Sequence, residues 1–519
     1  MPIMLSPAVY PLEVDVSNII PVVATSIGAT VGYSARGPLE RTLVTNNKQL
    51  VDWYGTPTPG NYLHYTGLGF LQRSSQLWMK RVQNGALYGG VEIKLYGSSQ
   101  ANVAIAGTAD PAAHTFGTEG LLAIFAPNPG VWNNRTAVKI TNVDTVNHEF
   151  DIEFYEKDAN DDYQLTHKAT VSREAKKDGF GKNMYVGDLF PVADASPIQF
   201  IVIDNTTELD TVDPKAQSVE LDLAGGTDGS AVTNSELTVG WDDFANGEDI
   251  NVNILMSNGY TDEVVLQKIN EICSVDRLDC IGVLDTLYGQ TAAQLVTWRN
   301  DTLGINSSYS AIYGSWLKVY DSYNDKIVEI PPSGHVGGVY AWTDYVTAPW
   351  FAPAGMNRGI LSVVDLTKNW TKGERDALYQ VGINPIRKHP AGGSAVWGQK
   401  TLQTKASATD RVNVRRMLIV IEKAITVAME YFVFEPNDRN TRTFITNMID
   451  SYMATVQAQR GVYEYKIVCD GTNNEGAIID RNELHVDLYV KPTKAAEFIQ
   501  LRTIITRTDV SFDEVIGAV

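Results

Sequence analysis

Two strand–helix repeats in succession constrain this chain most. Residues 251–256 are apolar and strand-like, 261–274 carry helical spacing, 280–284 are apolar again, and 291–299 are again helical. In the first helix Thr261 precedes Asp262 and Glu263, which suits an N-cap followed by acidic groups at the positive helix end. Val265, Ile269 and Ile272 recur on one face of it. Parallel strands need long crossovers, so this order predicts a parallel sheet covered by helices. Residues 309–314 and 315–320 continue as strands, and Thr371 with Glu374 makes a capping box for a helix ending near Gly382.

The flanking stretches read differently. Pro2, Pro7, Pro11 and Pro21 keep residues 1–25 extended. Short helices are expected at 46–54 and 63–73, and a strand at 77–82. From about 91 to 240, short alternating runs are separated by Asn, Asp and Gly clusters, the pattern of a mostly-β domain. Residues 411–435 and 438–459 read as long helices, the second with Phe444, Met448 and Tyr452 at four-residue spacing. Leu484, Val486, Leu488 and Val490 alternate along a strand at 483–491, and 496–508 is a further strand candidate.

Charge narrows the function classes. The 519 residues hold 61 Asp+Glu against 42 Lys+Arg, a formal charge of -19. That balance argues against a chain that binds nucleic acid directly. The excess is local: residues 151–250 hold 22 acidic and 7 basic residues, whereas 381–460 reverses to 6 and 11. The acidic block is expected to face solvent. No apolar run reaches the ~18 residues of a membrane span and no leader-like N-terminus is present, so cytosolic synthesis without membrane insertion is expected. Cys273, Cys280 and Cys469 are too few for a disulfide framework and read as buried thiols.

Catalytic motifs are scarce. There is no Walker A loop and no H-E-x-x-H, and 470–474 lacks the glycine and closing glutamate of a calcium loop. Asp285 ends an apolar strand and His335 lies in a Gly-His-Val-Gly-Gly run. Asp then His on a parallel α/β framework resembles subtilisin-type proteases, yet the loop at 353–358 offers no serine nucleophile. No catalytic residue, metal ligand or cofactor is expected, and an active hydrolase is the lesser alternative.

The remaining motifs carry a family resemblance. They are Ser6-Pro-Ala-Val-Tyr10, Arg36-Gly-Pro38, Pro129-Gly-Val-Trp-Asn133, Gly225-Gly-Thr-Asp-Gly229, Pro331-Pro-Ser-Gly-His335, Ala352-Pro-Ala-Gly355, Asn384-Pro-Ile-Arg387 and Phe434-Glu-Pro-Asn437. In this order they resemble the tail sheath proteins of contractile-tail phages and related contractile injection systems. The resemblance implies an α/β and α+β multidomain chain. It divides into an extended arm at 1–25, an N-terminal part of the sheath body at 26–90 and an inserted mostly-β outer domain at 91–240. A subtilisin-like α/β domain without a triad at 241–390, a C-terminal body facing the tube at 391–508 and a C-terminal arm at 509–519 complete it.

It also implies a structural virion protein, assembled in the host bacterial cytoplasm. Such a protein polymerises as stacked hexameric rings around a tail tube and contracts to drive the tube through the host envelope for genome ejection. The implied partners are other copies, the tube protein, and baseplate and tail terminator proteins. A bacteriocin-like particle is the alternative within the class. Val9, Leu12, Val14, Val16 and Ile19, with Val510, Phe512, Val515 and Ile516, are the residues through which the arms would add strands to neighbouring subunits. Lys400, Lys405, Arg411, Arg415 and Arg416 are the candidates for facing the tube.

Overall fold

The computed structural model describes residue 20 and residues 24–192, 199–390 and 392–501. The chain opens with β1 (Gly28–Tyr33), β2 (Thr42–Val44), α1 (Asn47–Tyr54), α2 (Tyr62–Leu71) and β3 (Leu77–Val82). An excursion follows, through β4 (Tyr88–Lys94), β5 (Val103–Thr108), β6 (Gly120–Phe125), β7 (Thr136–Asp144), β8 (Glu149–Lys157), β9 (Tyr163–Val171), α3 (Val186–Leu189), β10 (Ile201–Asp204) and β11 (Leu221–Asp222). The chain returns by α4 (Asn234–Asp242) to β12 (Ile254–Met256), α5 (Glu263–Glu271), β13 (Ile281–Asp285), α6 (Ala292–Thr297) and β14 (Ser310–Gly314). Next come β15 (Leu317–Asp321), β16 (Lys326–Ile330), α7 (Ser333–Val346), α8 (Gly355–Arg358), β17 (Ile360–Leu361), β18 (Asp365–Leu366), α9 (Lys372–Gln380), β19 (Ile383–Lys388) and β20 (Ser394–Val396). The last elements are α10 (Val412–Met429), α11 (Arg439–Ala458), β21 (Val462–Val468), α12 (Gly476–Ile479) and β22 (Asp487–Pro492).

The central sheet has nine strands in the order β17-β20-β19-β14-β13-β12-β1-β3-β2. From β19 to β3 all neighbours run parallel. Both faces are buried, as parallel sheets require. Leu255 packs on the face covered by α4, α5, α6 and α9, through Trp241, Leu266, Leu295 and Leu378. Ile254 and Met256 point the other way, towards Phe70 of α2 and Val336 and Tyr340 of α7. The expected repeats are present, with small shifts. Asp262 rather than Thr261 caps α5, and the capping boxes at Thr291 and Thr371 both form.

Residues 26–90 were expected to join the C-terminal body. They instead supply β1, β2 and β3 to the α/β sheet, where Gly28 pairs with Ile254 and with Leu77. The excursion forms two four-stranded antiparallel sheets, β10-β6-β4-β5 and β11-β7-β8-β9. They pack face to face through Ile93, Leu122, Ile124, Ile140, Ile152 and Phe154. Its limits differ from 91–240. It opens where Leu87 pairs with Thr227, and 234–242 is already helix α4 on the central sheet.

The C-terminal unit is α10, α11 and the β21–β22 hairpin around a separate core. Helix α10 is shared: Val412 and Ile419 enter the central core, and Met417, Ile421 and Ala424 enter the C-terminal one. The expected face of α11 holds at Met448, which is buried, and at Tyr452, which packs against the C-terminal core, and fails at Phe444. Ile445, Ile449, Met453 and Val456 are buried, whereas Phe444 is 63% exposed. Residues 496–501 are not a strand, since they have no pairing partner among the described residues; 502–508 lie outside them.

Candidate functional site

In doubly wound sheets, ligands sit at the carboxyl ends of the strands where the strand order reverses. Here that point lies between β1 and β12. It is filled by the chain's own side chains. Asn258, at φ 56, donates from Nδ2 to Val31 O (3.3 Å) and accepts the Thr66 hydroxyl (2.8 Å). The Tyr260 hydroxyl accepts the Tyr33 N–H at 3.0 Å.

Asp285 stands beside this plug and ties it together. Its Oδ1 accepts the Ser333 N–H (2.7 Å) at the start of α7. Its Oδ2 accepts the Ser257 hydroxyl and the Gly259 N–H, each at 2.8 Å. Burial pushes the Asp285 carboxyl up, and these donors pull it back only in part. His335 is separate. Neither ring nitrogen has a hydrogen-bond partner among the described residues. Its ring lies where a side chain on Gly69 would sit, 2.4 Å from the position of an added Cβ. Burial, with a smaller push from the Arg73 guanidinium, lowers it to about 4. Asp285 and His335 therefore share a framework but make no hydrogen bond to each other, and Asp285 works as a structural clamp.

Three of the quoted motifs converge at the stem of the inserted domain. The loop after β1 carries Arg36, whose guanidinium lies 4.3 Å from the Trp132 ring centroid and 2.7 Å from Glu156 Oε1. Buried Arg81 holds that loop by donating to Ser34 O (2.6 Å), Gly37 O (2.8 Å) and Ala35 O (3.2 Å). The Val131 N–H donates to Asp228 Oδ1 at 2.8 Å, and the Gly89 N–H to Asn133 Oδ1 at 2.7 Å. Gly229, at φ 72, admits no side chain, since a Cβ would lie 2.1 Å from Asn84 O. A cleft of about 1380 Å³ opens beside this joint, between α1 and the β7-β8-β9 sheet.

The C-terminal unit has the opposite character. Strands β21 and β22 form a two-stranded sheet with no further strand on either edge among the described residues. Tyr463 and Tyr489 on it are 64% and 60% exposed. The arm residues Val9, Leu12, Val14, Val16, Ile19, Val510, Phe512, Val515 and Ile516 lie outside the described residues. Ile20, at the root of the N-terminal arm, is buried in the C-terminal core.

Of the five basic candidates, Lys405 is exposed. Arg416 is not a surface cation: its side chain is 4% exposed and its guanidinium pairs with Asp344 at 2.6 Å. Arg415 lies 4.2 Å from the Tyr309 ring centroid, and its Nε is buried. Lys400 donates to Tyr379 O (2.8 Å), and Arg411 Nε donates to Glu497 (2.7 Å). Sequence reading missed Glu497 because its partners lie about 90 to 120 residues away in the chain. The role of Asn258 had a weak signal, the turn-forming Asn-Gly pair at 258–259.

Comparison with known proteins agrees with these motifs. The phage tail sheath central domain matches residues 230–402, and the phage tail sheath C-terminal domain matches 404–506. The tail sheath protein of Vibrio phage KVP40 is 35% identical over 58% of this chain and 49% of its own length. That of Enterobacteria phage T4 is 32% identical over 67% of this chain and 55% of its own length. The chain thus spans about half the length of these curated relatives. Among solved structures, a sheath tail protein from Listeria innocua shares the fold at TM-score 0.58, with 12% identity, over 91% of this chain and 96% of that one.

Proposed function

The chain belongs to the phage tail sheath family, and from that membership we propose that it is a structural sheath subunit. It polymerises with copies of itself as stacked hexameric rings around a tail tube, in a metastable extended state. Contraction then drives the tube through the host envelope for genome ejection. Its other partners are the tube protein, the baseplate and the tail terminator, and its place is the virion, after assembly in the host bacterial cytoplasm.

The observation that carries this reading is the hairpin β21–β22, which has no further strand on either edge among the described residues. An isolated two-stranded sheet is marginal in water, and unpaired edges attract further strands. Arms at 1–25 and 509–519 supply such strands from neighbouring subunits. Main-chain bonds and the entropy of ordering an arm nearly cancel. The apolar arm side chains, Phe512 and Val9 among them, tip the balance when buried. A monomer that stays soluble and a lattice that locks follow from the same sequence.

The α/β sheet from 26 to 90 and 241 to 390 is the subtilisin-like scaffold of this reading, without a triad. The inserted sandwich is the outer domain, and of 391–508 the part from α10 onward is the body facing the tube, since β20 belongs to the central sheet. Among the basic candidates the tube contact rests on Lys405, since the other four are engaged within the subunit. Charge reversal at Lys405 that leaves sheath–tube assembly intact removes that contact from the proposal.

Negative-stain electron microscopy of the purified chain tests the main reading. Striated hollow tubes are expected from the full chain, alone or with its tube protein. Deleting 1–20 or 510–519 is expected to leave a folded monomer that forms none. Normal tubes from either deletion overturn the proposal.

A further inference from the structure

After β22 the chain runs through 493–501 without regular structure. From 494 to 501 every residue is exposed except Glu497. Its side chain, 18% exposed, is held from three directions. Oε1 accepts Arg411 Nε at 2.7 Å and Gln399 Nε2 at 3.2 Å, and Oε2 accepts the Tyr379 hydroxyl at 2.9 Å. These partners come from separate pieces of the framework. Tyr379 is in the last turn of α9, Gln399 follows β20 and is 2% exposed, and Arg411 is the N-cap of α10.

The socket is preset for a carboxylate. The Lys400 ammonium lies 4.6 Å from the Tyr379 ring centroid. Burial and the neighbouring Arg411 guanidinium lower it from its usual range. Arg411 also pairs with Asp410 at 3.1 Å and Lys400 is bonded to Tyr379 O; the guanidinium Nε, the Gln399 amide and the Tyr379 hydroxyl are left as converging donors that a carboxylate satisfies together.

Immediately beyond the held residue the character changes. Phe498, Ile499 and Leu501 are 84%, 88% and 87% exposed. Large apolar side chains in a row in water mark a surface that another body covers. The described part of the chain offers them none.

We propose that Glu497 is the positioning residue of the C-terminal arm, tethered by Tyr379, Gln399 and Arg411, so that the arm leaves the subunit at 498 with its apolar residues directed to a second copy of this chain. The inference rests on the sheath reading for the identity of that second body. It assigns the cation Arg411 to holding the arm rather than to the tube. The tether binds the arm root to the α/β framework, so a movement of that framework carries the arm with it.

Trypsin cleavage of the full chain at exposed Lys494 reads the tether directly, because the tether restrains the segment three residues on. Glu497→Ala and Arg411→Ala are expected to speed cleavage after Lys494 at least tenfold, with the near-ultraviolet circular dichroism unchanged. Tyr379→Phe removes one of the three bonds and is expected to give an intermediate rate. Glu497→Ala is also expected to raise the protein concentration needed for tubes severalfold. An unchanged Lys494 rate in both alanine variants overturns the tether, whatever happens to assembly. If the rates change but the unaltered chain forms no tubes with or without its tube protein, the tether stands and the sheath reading fails.

Discussion

The carboxyl edge of the central sheet and the β21–β22 hairpin are both places where backbone groups run out of regular partners. They solve the problem in opposite ways. At the sheet edge, Asn258, Tyr260 and Asp285 absorb the free N–H and C=O groups internally. At the hairpin, neither edge has a partner strand among the described residues, and tyrosines stand in water. An α/β framework of this kind usually keeps its crevice for a ligand. This one closes its crevice, and unpaired main-chain groups among the described residues lie on the hairpin edges instead. On the sheath reading proposed above, the framework would then be the rigid carrier and the C-terminal unit the part that binds.

Breaking the closed side has the largest effect on stability. Asp285→Ala strands one buried and one half-buried N–H group and a buried hydroxyl, at ~1–3 kcal/mol each. Even after relief of carboxylate burial we expect a loss of about 4 kcal/mol in urea unfolding of the α/β domain. Next is His335. Its folded value of about 4 lies below the ordinary 6.5. Its contribution is therefore complete above pH 6.5 and is lost as pH falls towards 4. A shift of this size corresponds to about 3 kcal/mol. His335→Leu is expected to flatten the pH dependence of stability across that window; a variant curve parallel to the original contradicts the assignment.

Helix α11 sharpens the comparison within one element. Ile449→Ala is expected to cost about 3 kcal/mol, as buried aliphatic truncations do. Phe444→Ala, at an exposed position, stays within about 0.5 kcal/mol. Smallest for the monomer is the open side. Tyr463→Glu with Tyr489→Glu is expected to change unfolding by less than about 0.5 kcal/mol each and yet to abolish tube formation in electron micrographs. A large loss of monomer stability there breaks the contrast between the two regions.

Much of the framework was legible in the sequence because periodicity reports burial. The repeats at 251–299 became α5, α6 and their strands for that reason. What failed needed a partner remote in sequence. Residues 496–501 have strand-like composition, but a strand forms only against another strand. Of the helical row Phe444, Met448 and Tyr452, the last two meet the core together with Ile445, Ile449 and Val456, while Phe444, one turn nearer the helix start, faces solvent. Arg416 reads as a surface cation until Asp344, 72 residues away, is placed beside it. The stem of the insertion was visible only as motifs, since its joint is made of single bridges and glycines rather than of a periodic element.

The central claim is that the open hairpin is completed by another copy. Assembled tubes made from equal parts of light and nitrogen-15 chain test it by zero-length carboxyl–amine coupling. Asp509, Asp513 and Glu514 on the arm are expected to couple to Lys466 and Lys491 of the hairpin as mixed-isotope pairs. Couplings confined to same-isotope pairs would mean that each arm folds onto its own hairpin, and would contradict the account.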